Sequence, residues 1–426
     1  LVHSQGNLHL GEQRLSHYRF RHILFQHYLY QTLDEGERAY LHEDIGQTLE
    51  QFYQGQTAQV AVQLARHFQA AGLTSKAVAY LQQAAAQADA RLAFREAADL
   101  CNDALRLLET LPKTAERQRQ QARLQLALAP AQFKTGELTQ SLHSFQRAAE
   151  IAYAHQWVDE LAQAGLGYEQ VRYRFNRPAA PAIRILENAL ELIGATDSVL
   201  KARILGQLAQ AFFFNAATEQ AETLSLQAIA MARQVDDPLA LFDALYVRAI
   251  AYRKPENIQA RLVADQELLQ LARLLGDRER EAHVYTMSVA DYLEAGDIAA
   301  VDRMLAAHAQ FSDELQQAFL FFVFHVAQSM RAALAGNFTE AEAFAQRALM
   351  SGQQMQVEVA NGTYGILMFT LHREQGGISQ LASSIEEYVE RNPDSVWRPG
   401  LALILSLIHI SEPTRLRRIS YAVFCL

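Results

Sequence analysis

From Thr57 onward, apolar residues recur at three- and four-residue intervals, in runs long enough for helices and separated by short polar breaks. One run closes on Ala65-Arg66-His67-Phe68-Gln69-Ala70-Ala71-Gly72, and Ala77, Tyr80, Leu81, Ala84 and Ala88 then line one face of the next. The phrase returns at Phe133-Lys134-Thr135-Gly136-Glu137, followed by Ser141, Phe145, Ala148 and Ala152. It returns again at Tyr292-Leu293-Glu294-Ala295-Gly296-Asp297, followed by Val301 and Leu305. The clearest copy is Leu334-Ala335-Gly336-Asn337-Phe338 with Ala341, Phe344, Ala345 and Ala348; a weaker one is Gly376-Gly377-Ile378 with Leu381, Ile385 and Tyr388.

Gly296, Gly336 and Gly376 stand 40 residues apart, a period that two helices of about 14 to 17 residues and two turns would fill. Each glycine can end the first helix in a left-handed conformation without a Cβ penalty. Ala77, Ala84, Ala341 and Ala348 let paired helices approach closely, while Tyr80, Phe145 and Phe344 fill the gaps between hairpins. One such hairpin buries too little apolar surface to be stable alone, so neighbours must stack. Pro112, Pro178, Pro181, Pro238 and Pro255 mark inter-helix turns, because proline in a helix interior costs about 3 kcal/mol. Asn215 stands where a glycine is expected, between Phe212-Phe213-Phe214 and a helix starting near Thr218. Asp236-Asp237-Pro238 and Leu275-Gly276-Asp277 are further junctions, each after an Ala-Arg phrase. The pattern predicts an all-α protein, an α-solenoid of stacked helical hairpins.

These phrases resemble the tetratricopeptide family, with loose W/Y-L/F-G and A-x3-F/Y-A elements, although the spacing departs from the usual 34 residues. The longer period resembles the repeats of bacterial signalling ATPases. Residues 17–54 are of another kind. Phe20, His22, Leu24, Tyr28 and Leu33, then Arg38, Leu41, His42, Ile45, Leu49 and Glu50, resemble the junction that ends the helical or winged-helix part of STAND-type signal-transducing ATPases. The resemblance implies that residues 1–56 close an ATPase module and 57–404 are tetratricopeptide-like repeats. It also implies an upstream module that binds ATP, often preceded by an adenylate or guanylate cyclase, a kinase or a DNA-binding regulator domain. The leading expectation is a non-catalytic interaction or sensor scaffold. The alternatives are a portion of a signalling enzyme (ATPase or cyclase) and the C-terminal part of an ATPase-type transcriptional regulator. No G-x-x-x-x-G-K-[S/T] phosphate loop occurs in the chain, so neither catalysis nor a cofactor is expected of these residues.

Residues 405–426, LSLIHISEPTRLRRISYAVFCL, resemble the in-frame translation of a transposase sequencing adapter. Leu405 to Arg415 and Ile419 to Leu426 match its two fixed blocks, and Leu416-Arg417-Arg418 fill the index between them. On that reading natural sequence ends near Ile404, and the leucine at position 1 leads to the expectation of a start further upstream.

At 426 residues the chain exceeds what a single hydrophobic core serves, consistent with a repeat array. Its net charge of -9 provides no basic field for a nucleic-acid backbone, so the expected partner is a protein or the chain's own upstream domains. The most apolar run, Ala318-Phe319-Leu320-Phe321-Phe322-Val323-Phe324, is far short of the roughly 20 residues of a membrane span. It reads as a helix buried on most sides. Two cysteines, Cys101 and Cys425, make no disulfide framework, which fits a reducing cytoplasm.

The most polar-aromatic cluster is Tyr168, Arg172, Tyr173, Arg174, Phe175 and Arg177. It is the candidate interaction patch for a peptide, a domain or an anionic ligand; the alternative is arginine stems covering an apolar face. His3, His9, His17, His22, His27 and His42 crowd the first 45 residues. His42-Glu43 begins like a zinc-protease phrase, but Gly46 occupies the place of the second ligand, so packing or capping is expected and no metal. Cys101 shares a helix face with Leu100, Ala104 and Leu105 and reads as a small buried hydrophobe.

Overall fold

The computed structural model describes residues 2–10, 13–174, 178–215, 217–253, 255–315, 318–354, 358–391 and 397–411. They fall into two compact units, Leu1–Ala251 and Tyr252–Leu426. As the periodicity predicts, the fold is all-α, built of helical hairpins. Its one β element among the described residues is an antiparallel hairpin of β1 (Val2–Leu10) and β2 (Gln13–Phe20), with Val2 opposite Phe20 and a register irregularity between Ser4 and Gly6.

In the first unit the hairpin leads to α1 (Ile23–Thr32) and α2 (Glu35–Phe52). A 3-10 turn (Thr57–Val60) then opens the series α3 (Ala61–Ala70), α4 (Thr74–Ala90), α5 (Phe94–Glu109), α6 (Ala115–Lys134) and α7 (Leu138–Ala154). It continues through α8 (Val158–Arg174), α9 (Ala180–Ile193), α10 (Val199–Phe213), α11 (Thr218–Gln234) and α12 (Pro238–Ala251). The second unit begins with a 3-10 turn (Pro255–Asn257), then α13 (Ile258–Leu274), α14 (Arg278–Ala295), α15 (Ile298–Leu315) and α16 (Ala318–Leu334). It ends in α17 (Phe338–Gln354), α18 (Glu358–Glu374), α19 (Ala382–Arg391) and α20 (Arg398–Ser411). Of the adapter-like segment, residues 405–411 belong to α20 and 412–426 lie outside the described residues.

Helix starts and stops follow from local chemistry. Asp34 and Glu37 form a reciprocal capping box at α2, with Glu37 N–H on Asp34 Oδ1 at 2.8 Å and Asp34 N–H on Glu37 Oε2 at 3.0 Å. The glycine at 336 has φ +77°, and the Asn337 N–H reaches back to the Ala332 carbonyl at 3.0 Å. Gly296 and Gly376 take the same left-handed conformation. Leu92 adopts it too, at φ 61°, between α4 and α5. A Cβ there is strained, so Leu92→Gly is expected to raise stability by about 1 kcal/mol; a thermal-unfolding midpoint no higher than that of the parent would refute this.

The cores lie between paired helices and are dominated by alanine. Ala77, Ala84 and Ala88 of α4 and Ala341, Ala345 and Ala348 of α17 are all buried. Serine hydroxyls tie hairpins together where helices come closest: Ser141 donates to the Ala129 carbonyl at 2.7 Å and Ser329 to the Ala341 carbonyl at 2.8 Å. Proline does not always end a helix here, since α6 runs through Pro130. Cys101 is buried in α5, and burial pushes its thiol up to about 12, a poor nucleophile. The apolar run at 318–324 opens α16, with Leu320 and Phe322 buried.

Candidate functional site

Within each unit, every second helix also packs on the next of its kind: α4, α6, α8, α10 and α12 in the first, α14, α16 and α18 in the second. These are the helices that precede the hairpin turns. They carry polar side chains into the interior as well as apolar ones, and these buried pairs surround the candidate site.

In the first unit, Glu160 of α8 accepts from Arg119 Nε at 2.7 Å and Arg123 Nε at 3.1 Å, both on α6. Burial pulls the Glu160 carboxyl up, but these hydrogen bonds outweigh it and hold it below the ordinary range. Arg203 of α10 donates to Asp243 of α12 at 3.1 Å. Between these links lies the predicted cluster. Arg172 is buried and paired twice with buried Glu169, one turn earlier on α8, with Nε to Oε2 at 2.6 Å. Burial pushes Glu169 up to about 7 against the pull of Arg172.

The guanidinium of Arg172 also lies 5.9 Å from the ring of Phe214, which packs against Tyr173 at 5.1 Å. Tyr168 points into the core of the first unit. Arg174 is the last residue of α8, and its side chain, like Phe175 and Arg177, lies outside the described residues. The structure thus joins Arg172 and Tyr173 around the half-exposed Phe214 and places Tyr168 within the core. Apart from that cluster, a cleft of about 480 Å³ opens between α9, α10 and α11, with Leu190, Lys201, Leu205, Leu224 and Met231 among its lining residues.

Two of the N-terminal histidines have structural places. His22 caps α1 through its ring nitrogen, 3.4 Å from the Leu24 N–H. His42 bridges Tyr30 Oη and His67 Nδ1, each at 2.9 Å, and so links α1, α2 and α3. Gly46 lets α2 lie against Phe68, where a Cβ would come within 2.8 Å of the ring. Helix α1 itself buries none of its residues, and Leu24 (66% exposed) and Tyr28 (67%) stand open beside Ile23, Phe25 and Leu29.

A second polar core escaped the sequence reading. In the second unit, Asp291 of α14 accepts from both Arg253 and Arg261, and Arg261 also reaches Asn257 at 3.0 Å and Glu294 at 2.5 Å. A signal existed: Arg261 and Asp265 share one core-spaced row on α13 with Leu268 and Ala272. Charges standing in an apolar stripe announce buried pairing.

The chain has a tetratricopeptide-like helical-repeat fold. No protein-family model matches it, and no curated protein matches it by sequence. Solved structures match by fold. The apo form of RapI aligns at a TM-score of 0.50 and 12% identity, over 66% of this chain and 98% of RapI. A Rap protein complexed with Competence and Sporulation Factor aligns at 0.50 and 13%, over 78% of this chain and 98% of that one. The STAND protein with a tetratricopeptide repeat sensor from Pyrococcus horikoshii aligns at 0.48 and 15%, over 92% of this chain and 63% of that one.

Proposed function

We propose that this chain is the interaction and sensor arm of a multidomain signal-transducing ATPase, with the uncovered α1 as the helix that docks on the ATPase module. The observation that carries this reading is α1. A helix that leaves Ile23, Leu24, Phe25, Tyr28 and Leu29 exposed together is a surface made to be covered. It lies in the segment that resembles a STAND module junction, and His42 and Arg38 fasten it to the helices that follow. In this reading the repeats supply the binding surface; a Rap protein of similar fold is complexed with Competence and Sporulation Factor.

The ATPase module itself is expected to be encoded upstream of Leu1, and reading that sequence for a phosphate loop is the first test. The second uses the upstream module produced separately and mixed with this chain. Leu24→Glu with Tyr28→Glu is expected to weaken their binding by about tenfold or more, with the circular dichroism spectrum unchanged because both side chains are exposed. ATP hydrolysis by this chain alone, or equal binding by parent and variant, would overturn the assignment.

A further inference from the structure

The α13–α14 hairpin buries two carboxyl groups against one another. Asp265 of α13 is 3% exposed and Asp291 of α14 is fully buried. Their side chains lie within hydrogen-bonding reach. One of the four oxygens is well supplied, since Asp291 Oδ1 accepts from Arg253 and Arg261. Both oxygens of Asp265 and Oδ2 of Asp291 lack a well-aligned donor, with the Ser288 hydroxyl a neighbouring group that weakly supplies Asp265. Buried acceptors left in this way are costly.

The surrounding charges show how the cost is met. α13 packs on α14 and on the Pro255–Asn257 turn. Arg253 beside that turn and Arg261 on α13 contribute two positive charges. Asp291 and Glu294 on α14 contribute two negative ones. The set balances only if Asp265 is neutral. A single proton between the two carboxyls makes one of them a donor and supplies the other, whereas two adjacent carboxylates in such a site resist ionising together.

We propose that Asp265 and Asp291 form a proton-binding site, a carboxylic acid hydrogen-bonded to a carboxylate, which couples the cohesion of the α13–α14 hairpin to pH. Burial, reinforced by Asp291, pushes Asp265 up to about 7, with Ser288 and Arg253 pulling the other way. Its unfolded value is about 3.9, so the folded state holds the proton more tightly. The resulting stabilisation is fully present below about pH 4 and is lost as pH rises through about 7. His308 of α15 has the opposite sign. Burial pushes it down to about 4, so its stabilising contribution fades as pH falls below about 6.5. A difference between parent and variant profiles cancels that background.

The test compares the parent chain with Asp265→Asn, whose amide imitates the protonated acid in shape and as a donor. Thermal unfolding is followed from pH 5 to 8. The variant is expected to match the parent near pH 5 and to exceed its midpoint by several degrees at pH 8. Parallel profiles, or a variant less stable at pH 8, would overturn the proposal. Carbon-13 NMR of the parent chain is decisive even if the variant does not fold: an aspartate carboxyl should titrate near pH 7. If every aspartate carboxyl has titrated by pH 5, or if added magnesium or ammonium alone raises the parent's midpoint at pH 8, the site holds no proton and the idea fails.

Discussion

Glu169→Met is expected to lower the stability of the first unit by about 3–5 kcal/mol, the range for removing one partner of a buried ion pair. Arg172 is 2% exposed and Glu169 fully buried. A guanidinium stripped of its carboxylate there cannot discharge itself, because it does not lose its proton in proteins. The reverse change, Arg172→Met, is expected to cost less. Glu169 already sits at about 7 through burial, so without Arg172 it takes up a proton and stays neutral. What remains is a poorly satisfied buried carboxyl, worth about 1–3 kcal/mol. The double replacement by methionine is expected to recover most of the loss, since an apolar pair of similar volume needs no desolvation. Urea unfolding of the three variants, followed by circular dichroism, checks the order. Equal losses in the two single variants would show that packing, rather than uncompensated charge, sets the cost.

Gly167→Ala should also destabilise, although alanine is the better helix former. A Cβ at position 167 in α8 would lie 2.3 Å from two ring atoms of Phe145 in α7. That ring is buried in the core of the first unit, so moving it disturbs the packing around it. The helix-propensity gain of about 1 kcal/mol is then set against an overpacking cost of about 1–3 kcal/mol, and the clash wins. Gly206 in α10 supplies the contrast. A Cβ there meets Ala244 at 3.5 Å or more, ordinary contact, so Gly206→Ala is expected to be neutral or stabilising by up to about 1 kcal/mol. Adding Phe145→Leu to Gly167→Ala should restore part of the loss. The midpoints of urea unfolding measure all three, and a Gly167→Ala chain as stable as the parent would contradict the contact geometry.

Phe145 shows how far the sequence reading reached. Its spacing marked it as a gap filler between hairpins, which it is, but nothing in the order of residues said that Gly167 made the room. The same holds for Arg172. Its place among aromatics suggested a surface patch, while the ion pair with Glu169, only three residues earlier on α8, draws it inside. Phe214 came from a run legible only as apolar; its tilted contact with Tyr173 joins the ends of α8 and α10. The Asp265–Asp291 pair was harder still, for its members are 26 positions apart and meet only because α13 folds back on α14.

What the sequence determined by itself was the local grammar: helix-length runs, their apolar stripes, and Gly296, Gly336 and Gly376 as left-handed stops. Those features depend on contacts within a turn or two of helix, and the intervals between residues encode them directly. The tertiary structure decided which charges are buried, which acids face one another and which helix remains uncovered. Burial and pairing across hairpins depend on how separate helices come together, and that brings distant residues into one low-dielectric environment where their protonation and their cost are set.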